Sequence, residues 1–357
     1  MNRITRRHSL GALTSAFGVL AMPQLARAAE RPPATIRIAG PGNAAGKPYG
    51  NNVLGVLRVK GLLEEEFKTE GVTIDWQFPR GTGPAINEAF ANGQLDFSNY
   101  GGLPNVVGRG AGLRTRALAS NGLAPVYIVA RKGAKFASVA DLKGARISVS
   151  RGTIYEWSLN RILTPAGLAE RDVQIFDLQA ADQISAIASG DIDAILAGNN
   201  LLELVDRDIA TLVYSTKGTR APGTNFGSFV VYEDFARRYP ETTQRVVNSY
   251  IRAAYFASQE ANRQELYDIW ALTGVPRAAF ARDYDGDDLA DRHSPLADGF
   301  YRASVQSGID FSISKKLIRA SFDPTQWIDQ SFLDRAIDTL GYRQVWRAYD
   351  AAGKPQS

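Results

Sequence analysis

Between residues 35 and 215 the chain alternates short apolar runs with longer segments whose apolar positions recur at helical spacing. The runs TIRIA (35–39), VTIDWQF (72–78), LDFSNY (95–100) and TRALAS (115–120) have strand length. A second set, VYIVAR (126–131), ARISVS (145–150), VQIFDL (173–178), IDAILA (192–197) and TLVYS (211–215), repeats the rhythm. Helical patterns lie between them, as at 53–67 and 156–167. Strands that alternate with helices predict an α/β protein with mostly parallel sheets. From about residue 234 to 347 the pattern turns mainly helical.

One internal echo bears on organisation. Gly93, Leu95, Asp96 and Gly101 correspond at a constant offset to Gly190, Ile192, Asp193 and Gly198, each set lying in a helix–glycine–strand–glycine layout. Two copies without a third predict two lobes built on similar units, not a solenoid. Ligands of open parallel sheets bind beyond the carboxyl ends of the strands. Two facing lobes therefore predict a cleft lined by GPGNAAGKPYG, NYGGLP, ASNGL, SRGT, AGNN and GTNFG. These loops are rich in Gly, Asn, Ser, Thr and Tyr and poor in carboxylates. Exposed amides and hydroxyls of that kind suit a small anion or polar ligand better than a cation.

The loop Ser150-Arg151-Gly152-Thr153 is the sharpest case. A strand stops, and Thr153 with Glu156 three residues on forms a capping-box pattern at a helix start. The first amides of a helix lack partners inside it and sit at its positive end, so they form a ready anion site. The same residues also serve a helix that caps only itself, and both readings stand. Arg151 either pairs with an anion or lies solvated at the loop edge. Tyr100 either walls the pocket or packs inside. Asn199 and Asn200 either reach the cleft or open a helix. Ser120, Asn121 and Asn225, and Asn43 and Tyr49 in the first loop, complete the set of candidates.

Other motifs fail. After Gly40-Pro41-Gly42 the next glycine, Gly46, comes one place late for a dinucleotide fingerprint. Lys47 is followed by Pro48, where a phosphate-binding P-loop needs Ser or Thr. Asp283, Asp285 and Asp287 alternate, but a calcium loop would need Gly at Asp288 and Glu at Ser294, so a solvated acidic turn is expected. His293 stands in a polar stretch and reads as a surface residue. No G-x-S-x-G or H-E-x-x-H motif occurs.

Charge and the N-terminus change the picture of compartment. Residues 1–28 run from basic MNRITRRH through a mildly apolar segment to small residues around Ala26-Arg27-Ala28, a secretory signal pattern cut after Ala28. Arg6-Arg7 resembles the twin-arginine export motif, with Ser9 where phenylalanine is preferred; the general secretory route and an uncleaved anchor are the alternatives. The formal charge of +4 equals the four arginines of that segment, so the mature chain is near neutral. No basic face and no nucleic-acid partner are expected. Cysteine is absent, which removes disulfides and thiolate nucleophiles.

Residues 80–113, residues 138–195 and the helical WIDQSFLDRAIDTLG near the end together resemble the aliphatic sulfonate/nitrate/taurine class of ABC-transporter substrate-binding proteins. The resemblance covers nearly all the mature chain. It implies a two-lobed periplasmic binding fold of type II, with two mixed, mostly parallel sheets, flanking helices and an interlobe ligand cleft. One lobe would take 30–127 and 226–345, the other 128–225, leaving 346–357 as a tail. By matching position, Tyr100, Gly101 and Gly102 would serve the anion from one lobe, and Arg151, Gly152 and Thr153 from the other. Where many relatives have Trp or Asp-Pro-Tyr, this chain has Gly198-Asn199-Asn200. The family implies a monomeric periplasmic protein that delivers a sulfonate-like solute to a permease, without a cofactor. Nitrate, an aromatic carboxylate, a sulfate ester or a pyrimidine precursor are the alternative cargoes. Thiamine-pyrimidine synthases of the same fold resemble a cysteine- and histidine-dependent type, which zero cysteines and one mature histidine disfavour.

Overall fold

The computed structural model describes residues 30–43 and 45–356, so the signal expected over 1–28 lies outside the described residues. Ten strands follow in chain order: β1 (Thr35–Ala39), β2 (Thr73–Gln77), β3 (Phe97–Gly101), β4 (Thr115–Ser120), β5 (Tyr127–Arg131), β6 (Arg146–Ser148), β7 (Gln174–Phe176), β8 (Ala194–Ala197), β9 (Ala210–Ser215) and β10 (Gly227–Tyr232). They form two five-stranded sheets, ordered β2-β1-β3-β10-β4 and β7-β6-β8-β5-β9. β1 runs parallel to β2 and β3, and β6 to β7 and β8. β10 opposes β3 and β4, while β5 opposes β8 and β9. Each sheet thus has four strands in one direction and a single reversed one, as the mixed, mostly parallel reading expects.

The reversed strand of each sheet arrives from the other sheet. β4 leads through residues 121–126 into β5, and β9 leads through 216–226 into β10. The two connections are tied to each other. The Asn225 amide donates to the Ala124 carbonyl at 3.1 Å, and the Thr216 amide to the Val126 carbonyl at 3.1 Å. The Val126 amide in turn donates to Thr216 Oγ1 at 3.0 Å. β10 is absent from the strands read in the sequence. Its first five residues are buried, so it has no polar alternation, and Gly227-Ser228 at its start mimic a loop.

Helices cover both sheets. The long helix Pro240–Ala257 lays Val246, Val247, Tyr250 and Ile251 on the first sheet, with the Tyr250 ring stacked on Phe229 at 4.2 Å. The periodic segment 53–67 is split in two, Val53–Val59 and Leu62–Glu66, by Gly61 in the left-handed region at φ 61°.

The sequence echo marks the same lock in both sheets. Arg37 in β1 grips Asp96 with Nη2 at 2.6 Å and Nε at 3.1 Å, and its amide adds a bond at 2.8 Å. Arg146 in β6 grips Asp193 with Nη2 at 2.8 Å, Nε at 3.1 Å and its amide at 2.9 Å. Both aspartates stand just before β3 and β8, at the ends of the strands remote from their carboxyl edge. The repeated aspartate therefore ties neighbouring strands together by a two-pronged charge-assisted contact.

Hydrogen bonds from Arg146 hold the Asp193 carboxyl well below its ordinary range, against a smaller opposing effect of burial. Stability from this lock is thus full above the unfolded-state value of about 3.9 and drains away as pH falls towards the lower folded value. Asp193→Asn should cost about 1.5–3 kcal/mol at neutral pH. In urea titrations the gap between wild type and variant should narrow at strongly acid pH.

Candidate functional site

The carboxyl edges of β3 and β6 each turn directly into a helix. Gly101 ends β3 and caps the helix Gly102–Gly110. β6 leads through residues 149–153 into the helix Ile154–Leu163, where the Thr153 side chain accepts the Tyr155 amide at 3.3 Å. The two helix starts face each other. A β-carbon placed on Gly101 would lie 3.2 Å from Cβ and Cγ2 of Ile154 and 3.9 Å from its amide nitrogen. One placed on Gly152 would lie 3.3 Å from Cγ of Pro84 on the first-lobe helix Thr82–Ala91. Gly101 and Gly152, at and beyond the ends of strands in different sheets, therefore each lie against the other sheet's side of one seam.

The seam is tight because glycine permits it. A side chain at Gly102 would drive its Cβ to 2.0 Å from the Phe226 ring. Phe226 meets Trp157 edge-on with centroids 5.1 Å apart. Ile154 and Trp157 are buried with Tyr100, Leu103 and Val305 of the first lobe. The indole Nε1 of Trp157 is buried and has no hydrogen-bond partner among the described residues. Ile154 is the first residue of its helix, and its amide has no acceptor within that helix.

Carboxylates of the protein already hold part of the expected anion machinery. Glu156 is 6% exposed. Its Oε2 accepts the Gly152 amide at 2.8 Å, and its Oε1 faces Arg151 Nη1 at 3.2 Å. The capping box is thus displaced by one residue, because Glu156 reaches Gly152 and not Thr153. Asp177 accepts the Arg151 amide at 2.9 Å. The Thr153 hydroxyl donates to the Ser150 carbonyl at 2.6 Å.

The remaining candidates divide. Tyr100 is a core residue: it is 1% exposed, its hydroxyl donates to Asn87 Oδ1 at 2.8 Å, and burial pushes its phenol up. Its side chain therefore does not wall a cleft. Ser120 is buried and accepts the Gly122 amide at 3.1 Å. The Asn121 side-chain Nδ2 lies 2.2 Å from where a β-carbon on Gly227 would stand. Asn225 is half-buried where the two connections cross. Asn43 closes its own loop, donating to the Lys47 and Tyr49 carbonyls at 2.7 and 3.1 Å. Tyr49 lies under the Arg58 guanidinium at 5.1 Å. On the second lobe a β-carbon on Gly198 would lie 2.8 Å from the Tyr155 hydroxyl, with Asn200 Oδ1 at 3.7 Å. Burial, then the Asp283 charge, pushes the Tyr155 phenol up to about 12, so it stays protonated. Asn199 Nδ2 donates to Asp283 Oδ2 at 3.3 Å.

That aspartate belongs to a network absent from the sequence reading. Asp285 and Asp288 are exposed as expected, but Asp283 is 3% exposed and Asp287 is turned inward. Both carboxylates pair with the buried Arg292, Asp283 at 3.0 Å. The Arg292 guanidinium also donates to the Leu123 carbonyl at 3.1 Å and lies 3.9 Å over the Tyr284 ring. Asp283 further accepts from the Tyr127 hydroxyl, and Lys217 pairs with Asp287 at 3.1 Å. Tyr127, Asn199 and Lys217 are remote in sequence, so no local spacing announces the cluster. His293 is likewise buried, 3% exposed, between Trp270 and Tyr284 at 5.3 and 5.5 Å. Burial, then the Arg292 and Arg263 charges, pushes it down to about 3, so it is a neutral core residue and not a surface one.

Two cavities flank this network. One of about 150 Å³ touches Leu123, Thr216, Arg220 and Arg292, and one of about 420 Å³ touches Tyr127, Ser215, Lys217 and Arg282. Their cations are matched: Arg220 with Asp291, Lys217 with Asp287, Arg282 with Asp206. Neither offers an anion the unmatched positive end that a helix start supplies. Among the described residues no cluster of His, Cys, Asp or Glu could hold a metal, and no helix is long and apolar enough to cross a membrane.

A family model described as NMT1/THI5 like matches residues 66–263. A Bacillus subtilis protein described as aliphatic sulfonates-binding is 25% identical over 294 residues, covering 79% of this chain and 84% of its own. The solved periplasmic sulfonate-binding protein SsuA of Methylobacillus flagellatus KT superposes with a TM-score of 0.79 at 27% identity, over 89% of this chain and 98% of that one. The desulfurization enzyme DszB shares the fold at 18% identity, with a TM-score of 0.66 over 86% of this chain and 100% of its own.

Arg292→Met would leave Asp283 buried without its cation and Asp287 with Lys217 alone. The expected loss of unfolding free energy is about 3–5 kcal/mol, read by urea denaturation.

Proposed function

This chain belongs to the NMT1/THI5-like family, and on that premise we propose that it is the solute-binding component of an ABC importer, taking an aliphatic sulfonate between its lobes for delivery to a permease. The observation that carries the reading is the convergence of two helix starts, Gly101 on one lobe and Ile154 on the other. Relatives described as sulfonate-binding support the cargo. Lobe boundaries at 30–127, 128–225 and 226–345, a monomeric state, and export through a cleaved twin-arginine signal to the periplasm belong to the same proposal.

The mechanism is population shift. A ligand that touches both lobes only when they close favours the closed state by that differential contact. Micromolar affinity corresponds to about −8 kcal/mol. A few hydrogen bonds to a charged head group, about 1.5–3 kcal/mol each, supply much of this after ordering costs. A sulfonate is ionised at ordinary pH, so its site needs no proton donor or base. The reading is capture without turnover: the chain lacks cysteine, and its one histidine outside the N-terminal segment lies neutral in the core.

Calorimetry on the purified protein tests this with aliphatic sulfonates, nitrate, sulfate and aromatic carboxylates. Sulfonates should bind with nearly constant affinity from mildly acid to neutral pH. Binding of nitrate or carboxylates alone would change the cargo, and binding of none would end the reading. Gly101→Val places bulk against Ile154 at a φ of −60° that any residue tolerates. It should weaken binding about tenfold or more, 1.4 kcal/mol, and overpacking should cost about 1–3 kcal/mol of stability, while circular dichroism shows the variant folded.

A further inference from the structure

We propose that Glu156 sets the charge class of the ligand, admitting a singly charged tetrahedral head group and rejecting a doubly charged one; this rests on the anion-binding reading above. A sulfonate and a sulfate ion present nearly the same sulfur-centred tetrahedron. Shape and hydrogen-bond donors separate them poorly, whereas the second charge of sulfate separates them well. Specificity between such ligands needs a repulsive element in the site.

Glu156 is placed to be that element. It is the third residue of the helix Ile154–Leu163, 6% exposed, and its carboxylate turns back to the Gly152 amide at 2.8 Å. An anion on the Ile154 amide would therefore lie within about one helical turn, ~5.4 Å along the axis, of that carboxylate. The nearby positive charge is limited. The two helix starts contribute about half a charge each, and Arg151, its side chain 47% exposed, is offset by Glu156 at 3.2 Å. One negative charge on the ligand is accommodated by this balance, while a second meets the Glu156 carboxylate with little left to oppose it.

Coulomb energy scales with ligand charge, so removing the Glu156 charge should help a dianion by the square of the factor by which it helps a monoanion. A residue that only fastened the loop would change both affinities alike. Calorimetry at fixed ionic strength with methanesulfonate and with inorganic sulfate, on wild type, Glu156→Gln and Arg151→Gln, separates the two roles. Wild type should prefer methanesulfonate. Glu156→Gln should tighten methanesulfonate about 5-fold and sulfate about 25-fold, and Arg151→Gln, at a half-exposed position, should move the ratio the opposite way. A ratio unmoved in either folded variant overturns the inference while leaving the anion site intact. If Glu156→Gln does not fold, the Arg151→Gln ratio decides alone. Wild type that binds neither ion overturns both the site and its selectivity.

Discussion

A backbone amide in the first turn of a helix must find its acceptor outside that helix. The structure brings two such turns together, one from each sheet, with a glycine and an isoleucine almost in contact between them. The rest of the architecture serves that meeting. Strands β3 and β6 aim their carboxyl ends at the seam, the arginine–aspartate locks tie neighbouring strands at the opposite ends, and the crossing connections tie one lobe to the other. Glycines at 101 and 152 keep the approach close where side chains would hold the lobes apart, and Gly102 makes room for the Phe226 ring.

The seam and the ionic cluster around Arg292 divide the labour. At the seam, the Gly102 amide is taken by the Phe226 carbonyl at 2.8 Å and the Gly152 amide by Glu156, while the Ile154 amide has no acceptor inside its own helix. At the cluster, aspartates, arginine, lysine and tyrosine satisfy one another and join the C-terminal helices to the second sheet. This division explains why the cavities beside the cluster offer little to an anion. Space alone does not recognise charge; an unmatched positive end does.

Much of this was legible in the sequence. Nine of the strands follow from apolar runs, and the glycine–aspartate echo foretold two similar units, although its aspartate proved to be a structural clasp. β10 was hidden because burial on both faces erases alternation. Tyr100 was ambiguous because the last turn of a strand and the first line of a pocket share the same residues. Loops poor in carboxylates concealed that Glu156, one turn onward, and Asp177, beyond the next strand, would supply them. Asp283 and His293 looked solvated because their partners lie 84 and 156 residues away or on neighbouring helices.

The most direct measurement of the central claim is a crystal structure of the protein grown with an aliphatic sulfonate. The account predicts sulfonate oxygens between Gly101 and the amide of Ile154, in contact with both lobes. A head group seated instead in the cavity beside Lys217 and Arg282, with the two helix starts untouched, would contradict it.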